Sequence, residues 1–369
     1  MPRHRSLTLK KFVAAIDPEL MERYFTEKVS QDAELPQRFV MSPKAVEVFM
    51  DDHRNAEAKG FILQEFRKIN DICEKGKSLV VEAYKHCDIS WDRRDKPENL
   101  SMKLFLDYRD AFDYAYTWYS YYHATSKMSH HRIPGDFGLT KERLESFLAE
   151  IEEWFKDLAK GPKCIITHYD EEDSTVILIK HGSYVRTIAY WKEDKIEINS
   201  FRPASEDILL YNKETEVLSI KASLAKDRKR YIESFCRCIM GDESLADSED
   251  RDTIYTLKPL QDGSFNWDGN ENVKRVILTE VRLKLPGNTE PVIKVSSKDV
   301  RKTLAQDFSD IGLDTGELIY VHFRFILDVD GKEQKVSFMI APPDVSDLSQ
   351  KKHNEMISEY LKEQGIKLI

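Results

Sequence analysis

The sequence predicts an α+β protein: an all-helical N-terminal domain, then an antiparallel β-meander with a helix, then a C-terminal ββαββα unit. Three observations predict it. As far as Gly161-Pro162, apolar residues recur at three- and four-residue spacing; beyond it the period falls to two, with turn-sized gaps; and after residue 252 both periods alternate. The domains drawn in this way are 1–161, 162–241 and 253–369. The stretch 242–252, acidic and almost without apolar residues, reads as a mobile linker.

In the first segment, Asp17-Pro18-Glu19 supplies an N-cap, a proline at the first helical position and a first-turn acid ahead of Leu20, Met21, Tyr24 and Phe25. Ser42-Pro43 repeats the device. Helices are predicted from about Ala56 to Glu74 and from Leu79 to His86, and the polar run from Trp91 to Pro97 reads as a loop. One uninterrupted helical stripe joins Leu104, Phe105, Tyr108, Ala111, Phe112, Ala115, Tyr116 and Tyr119. Another, capped by Thr140, joins Leu144, Phe147, Leu148, Ile151, Trp154, Phe155 and Leu158.

The meander is read from short strands at Cys164–His168, Thr175–Lys180, Tyr184–Trp191, Lys195–Phe201, Ile208–Tyr211 and Val217–Lys221. Gaps this short leave room only for hairpins. A helix from Lys226 to Met240 lies across one face. The last unit follows as strands Val273–Leu285 and Val292–Val295, a helix Lys298–Gln306, a hairpin Leu318–Leu327 with Lys335–Ile340, and a terminal helix Gln350–Gln364.

Composition narrows the function. With 369 residues, 41% hydrophobic, 33% charged and only 5 Cys, the chain is excluded from the disordered, collagenous and disulfide-scaffold classes. No run is long and apolar enough to span a bilayer, and the basic start lacks an apolar stretch behind it, so a cytoplasmic setting is expected. The net charge of -9 is spread along the chain, and no segment is a basic domain, which argues against a large phosphate-backbone surface.

Several residue groups are candidate sites. Between Phe105 and Tyr122 half of the positions are aromatic. The helical stripe absorbs Phe105 to Tyr119 as core, leaving Tyr114, Trp118, Tyr121 and Tyr122 on a second face, either buried or offered as a stacking surface. The stretch Ser129-His130-His131-Arg132 with Asp136 reads as a solvated loop. In a metal-dependent hydrolase or nuclease, His130 or His131, Asp136 and His168 would be the catalytic candidates, although their spacing matches no metal-site signature. His168 precedes four consecutive acids, which read as a charged hairpin tip. Asp328-Val329-Asp330-Gly331 reads as a turn, not a calcium loop. Lys226, Arg228, Lys229 and Arg230, with Lys221, open a helix against its dipole and are candidates for an anionic partner, nucleic acid included. No glycine-rich phosphate loop, nucleophile elbow or paired C-x-x-C is present, and no cofactor or metal is expected.

Three stretches carry a resemblance: Asp17-Pro18-Glu19-Leu20 with Arg23-Tyr24-Phe25, Phe201-Arg202-Pro203-Ala204 leading to Leu210-Tyr211-Asn212, and Ala341-Pro342-Pro343 with Tyr360-Leu361 and Gly365-Ile366. In these the chain resembles uncharacterised bacterial proteins of similar length. The resemblance implies a prokaryotic, cytoplasmic setting and brings no activity and no catalytic residues. The expectation is a non-enzymatic binding or adaptor protein of a bacterial multiprotein system, with a protein partner ahead of nucleic acid and no membrane.

Overall fold

The computed structural model describes residues 7–29, 43–51, 56–73, 78–123, 128–192, 194–247, 253–308 and 310–369. They form two compact units, Met1–Thr125 and Ser126–Ile369.

The first unit holds α1 (Leu9–Ala15), α2 (Pro18–Glu27), α3 (Pro43–Asp51), α4 (Ala56–Asp71), α5 (Ser78–His86), α6 (Pro97–Asp107) and α7 (Arg109–Tyr122). The Asp17 carboxylate accepts from the Glu19 amide at 3.0 Å, capping α2 as its sequence foretold. The fully buried rings of Tyr24 and Phe66, with centroids 5.0 Å apart, tie α2 to α4. Arg23 grips Asp107 through its two terminal guanidinium nitrogens, at 2.6 and 3.2 Å, and fixes α2 against the end of α6.

The predicted single stripe from Leu104 to Tyr119 is in fact two helices. The backbone breaks at Tyr108 (φ -137, ψ 67), whose side chain is exposed. The polar tetrad Asp107-Tyr108-Arg109-Asp110 marks the corner. Breaking there folds Phe105 edge-on to Phe112 at 5.1 Å, with the Arg109 guanidinium over both rings, so each helix buries its own face.

The second unit is built on one ten-stranded antiparallel sheet. Its strands are β1 (Met128–Arg132), β2 (Cys164–Asp170), β3 (Ser174–Gly182), β6 (Ala204–Asn212), β7 (Val217–Lys221), β8 (Val273–Lys284), β9 (Val292–Ser296), β10 (Glu317–Val329), β11 (Lys332–Ala341) and β12 (Val345–Ser346). The order across the sheet is β2-β3-β6-β7-β1-β12-β11-β10-β8-β9. The remaining strands, β4 (Arg186–Lys192) and β5 (Lys195–Phe201), pair only with each other. The meander and the ββαββα order expected from the sequence are thus halves of one sheet, joined through β1 and β12.

The solvated loop expected at Ser129–Arg132 is instead the central strand β1. A strand of this composition can sit mid-sheet because its polar groups find partners: the His130 Nδ1 and Ser219 Oγ are 2.8 Å apart, as are the His131 Nε2 and Ser129 Oγ. No apolar alternation announces it.

The two halves carry helices on opposite faces. Phe147, Ile151 and Phe155 of α8 (Lys141–Asp157) and Tyr231 and Ile232 of α9 (Ala225–Ser234) pack with Ile177, Leu209, Leu218 and Ile220. The helix expected from Lys226 to Met240 runs on from α9 as a π-helical turn, Phe235–Met240. In the other half Leu260 of α10 (Lys258–Gln261), Val300 and Leu304 of α11 (Val300–Asp307) and Ile357, Tyr360 and Leu361 of α12 (Asn354–Glu363) pack with Val281, Val321, Phe323, Phe338 and Ile340. Register links Ile340 to Ser346, Ser346 to Met128 and His130 to Ser219, whereas His131 opposes Leu218. Because directly opposed residues share a face, the second core lies on the His130 side and the first on the His131 side.

Two details concern the connections. Glu243–Asp247, within the expected acidic linker, is a 3-10 helix with Ala246 buried; 248–252 lie outside the described residues. The β10–β11 turn places Asp330 and Gly331 at φ 52 and 74, the two positive values a type I′ hairpin requires.

Candidate functional site

β3 and β6 pair directly from Ser174 opposite Asn212 to Gly182 opposite Ala204. The sequence reading placed the next two strands in the same meander. The structure extrudes them instead: β4 and β5 leave the sheet together as a hairpin arm, seven residues on each strand, about 24 Å long. Its base is clamped. The Ser183 amide donates to the Pro203 carbonyl at 2.8 Å, and the Arg202 guanidinium donates to the carbonyls of Ala159 and Ser183. A Cβ at Gly182 would collide with the Lys160 carbonyl oxygen, so glycine is what lets the α8–β2 connection close on the arm's root.

The arm is exposed on both faces, one without charge and the other mixing apolar residues with Arg186, Glu197 and the Lys192–Lys195 pair. Register sets Thr187 opposite Ser200, Ala189 opposite Ile198 and Trp191 opposite Ile196 on one face, with no charged residue among them. The other face sets Arg186 opposite Phe201, Ile188 opposite Asn199 and Tyr190 opposite Glu197, the Tyr190 hydroxyl donating to the Glu197 carboxylate at 3.0 Å. Trp191 is 72% exposed, Ile198 74% and Ile196 61%, while Tyr184, Val185, Ile188, Tyr190 and Phe201 are exposed as well. Tyr184, Tyr190, Trp191 and Phe201 alone present on the order of 400 Å² of aromatic side chain to solvent. Exposed aromatics this concentrated on one small element mark a candidate interaction site.

Beneath the arm's root lies a buried ionic network. The Lys160 ammonium meets the Asp227 carboxylate at 2.6 Å, both residues 3% exposed, and the Trp154 indole N–H donates to the same carboxylate at 3.3 Å. Lys160 also lies over the rings of Phe155 and Tyr184, and the Tyr184 hydroxyl is 3.2 Å from the Lys226 ammonium. Next to it His181 sits between two acceptors, the Gly182 carbonyl at 2.8 Å and Asp207 Oδ2 at 3.0 Å, and the Tyr231 hydroxyl donates to that oxygen at 2.8 Å.

This network is structural in its chemistry. Every polar group in it is spent on a neighbour. Burial, with the nearby Asp207 carboxylate, drives the Tyr231 hydroxyl far above its ordinary pKa, and burial pushes the Cys164 thiol up to about 12, so neither is an activated nucleophile.

The residues singled out from sequence fall elsewhere and do not converge. His130 and His131 are buried on opposite faces of β1; His168 is exposed on β2, and Asp136 is exposed in the connection to α8. Among the described residues no group of three His, Cys, Asp or Glu side chains is placed to hold a metal ion. On the second aromatic face Tyr114 and Tyr121 are buried, Trp118 is half-buried and Tyr122 alone is exposed. Tyr114 stacks on His86 at 4.1 Å, so the face is packed and is no stacking platform. The basic run also disperses. Lys221 is buried at the end of β7, Arg228 donates to the Ala222 carbonyl at 2.9 Å, Lys229 faces Glu233 at 3.9 Å, and Arg230 faces Glu150 and Glu233. Only Lys226 and Lys229 project as exposed cations.

Sequence reasoning missed the arm because alternation identifies a strand without saying which side is covered. A signal was present: β4 and β5 carry apolar residues at odd and even positions alike, Ala189 and Trp191 as well as Ile188 and Tyr190. No protein-family model matches the chain, and no curated protein matches it. No helix among the described residues is long and apolar enough to cross a membrane.

Proposed function

We propose that the chain is a non-enzymatic protein-binding component, an adaptor of a bacterial cytoplasmic multiprotein system, and that the β4–β5 arm is its docking element. The observation that carries this reading is a two-stranded hairpin clamped at its root, with large apolar side chains exposed on both faces. A lone hairpin of two strands is marginal in water, so an arm like this is completed by what binds it. Its Tyr190 face combines Tyr190, Phe201, Ile188 and Arg186, the residue types that dominate protein interfaces. Nucleic acid is the weaker partner, because one face of the arm holds no cation, the other sets Glu197 among Arg186, Lys192 and Lys195, and the basic run after β7 is largely neutralised by its own neighbours. The hydrolase alternative has no convergent acid, base and metal ligands among the described residues.

The test is a triple substitution, Ile188→Ser, Tyr190→Ser and Phe201→Ser. All three side chains are exposed, so thermal stability is expected to stay within about 1 kcal/mol of the parent. Affinity-tagged parent chain purified from its own host should retain a stoichiometric partner that the variant loses. Identical co-purifying sets from both would overturn the proposal.

A further inference from the structure

We infer that an extended segment of a partner protein, basic at its amino end, adds to the ten-stranded sheet along β2. This edge is separate from the β4–β5 arm, and its ligand does not depend on what the arm binds. Among the described strands β2 ends the sheet order and pairs with β3 alone, from Cys164 opposite His181 to Asp170 opposite Thr175. The Glu171 amide donates to the Ser174 carbonyl at 2.8 Å, which fixes the phase of the ladder. Alternate residues turn their backbone groups to opposite sides. Ile165, Thr167 and Tyr169 therefore bond β3, while Ile166, His168 and Asp170 point N–H and C=O away from the sheet. The Cys164 amide, in the same phase, also leaves the sheet and donates to Glu152 of α8 at 3.0 Å. A row of donors and acceptors at strand spacing is matched by one kind of ligand, another extended backbone.

The two margins of the sheet differ. β9 is five residues long and sets Lys294 at its centre, a guard against strand addition. β2 runs seven residues in unbroken register with β3, holds no lysine, proline or bulge, and leaves Ile165 66% exposed. Charge sets the chemistry of the segment. Asp170, Glu171, Glu172 and Asp173 close the β2–β3 hairpin, with Lys213 at 2.9 Å from Asp170. An antiparallel strand, the more stable pairing, brings its amino end to these acids. The segment is thus basic at that end and β-branched where it lies beside Ile165, Thr167 and Tyr169. A second copy is the poorer occupant. In an antiparallel β2–β2 pair centred on Thr167 it would meet Glu171 with Lys163, and Glu172 with Pro162, which has no N–H to give.

Fluorescence anisotropy of the full chain with a labelled synthetic peptide tests this. The probe alternates valine and threonine over the length of β2, behind a pair of amino-terminal arginines. It is expected to bind with a Kd below about 100 μM, and its isomer with the arginines at the carboxyl end at least fivefold more weakly. N-methylation of the alternate amides that face β2 should abolish binding, which side-chain contacts alone would survive. His168→Pro removes an N–H that points away from β3 and should abolish binding as well. Thr167→Lys, a guard like Lys294, should weaken it at least tenfold; unchanged circular dichroism and melting establish that this variant folds. In the complex, amide exchange at Ile166, His168 and Asp170 should slow at least tenfold. No binding up to about 1 mM, equal affinity for the N-methylated peptide, indifference to Thr167→Lys, or unchanged exchange at the three amides overturns the inference. A parent that sediments as a dimer and that Thr167→Lys turns into a monomer would make a second copy the occupant and overturns it too. The triple arm variant should bind the peptide as the parent does. Loss of the host partner with the peptide still bound, or of the peptide with the partner retained, separates failure of the adaptor reading from failure at this edge.

Discussion

Asp227→Ala is expected to destabilise the second unit by about 3–5 kcal/mol, the largest effect of any single substitution considered. Among the described residues the carboxylate is the only anion within ion-pair distance of the Lys160 ammonium, 2.6 Å away, and it also accepts from Trp154. Both ions are taken out of water, so truncating one leaves the other buried and uncompensated. The sign of the effect reverses when both go. Lys160→Met with Asp227→Leu replaces the pair by apolar groups of similar volume and should recover most of the loss, because the desolvation of two charges disappears with their attraction. Urea unfolding of the parent, Lys160→Met, Asp227→Leu and the double variant closes a cycle and measures the coupling. A cost below about 1 kcal/mol for Asp227→Ala would mean that the pair is solvated and does not hold the arm's root. Since Lys160 also lies under Tyr184, the single variant should loosen the arm as well, read as faster amide exchange at 183–203.

The second large effect is a dependence of stability on pH. Burial pushes the His130 imidazole down to about 4, with the neighbouring His131 and Lys367 adding to the shift against its contact with the Ser346 carbonyl. The unfolded chain takes up a proton here near pH 6.5, and the folded chain only near pH 4. Above 6.5 both states hold a neutral ring and this residue adds no slope. Between 6.5 and 4 the unfolded state binds the extra proton, so stability falls as pH falls, by about 3 kcal/mol over the window. His130→Gln removes the titration. The parent should lose stability more steeply than the variant from pH 6.5 to 4.5 and run parallel to it above pH 7. Parallel curves throughout would show that His130 is accessible to water in the folded chain.

How much of this was legible in the sequence depends on the kind of information each element carries. β8, β10 and β11 are read to within a few residues because their alternation is long and one side is wholly apolar, as in Val321, Phe323, Phe325 and Leu327. The caps at Asp17 and Thr140 are local and equally plain. β1 is illegible because a five-residue strand reading Met-Ser-His-His-Arg owes its place to Ser219 and Ser346, far along the chain. The break at Tyr108 hides inside a stripe whose spacing is helical on either side. The Lys160–Asp227 pair joins residues 67 positions apart, and no spacing rule links them.

The arm is the instructive case, since both its strands were read correctly and their setting was not. Whether a strand is covered depends on its neighbours in the sheet, and β3 passes over β4 to pair with β6. The aromatic cluster from Phe105 to Tyr122 drew the eye for the opposite reason: Tyr108 and Tyr122 apart, its density reflects packed helices, while the arm exposes Tyr184, Tyr190, Trp191 and Phe201 together.

The central claim, that the β4–β5 arm is a binding element, is tested most directly by photo-cross-linking in the native host. A photoreactive phenylalanine would replace Tyr190 in one strain and Trp191 in another, with Lys141, an exposed position on α8, as control. The Tyr190 and Trp191 positions are expected to capture a second polypeptide. Capture at neither position above the level seen at Lys141 would contradict the account.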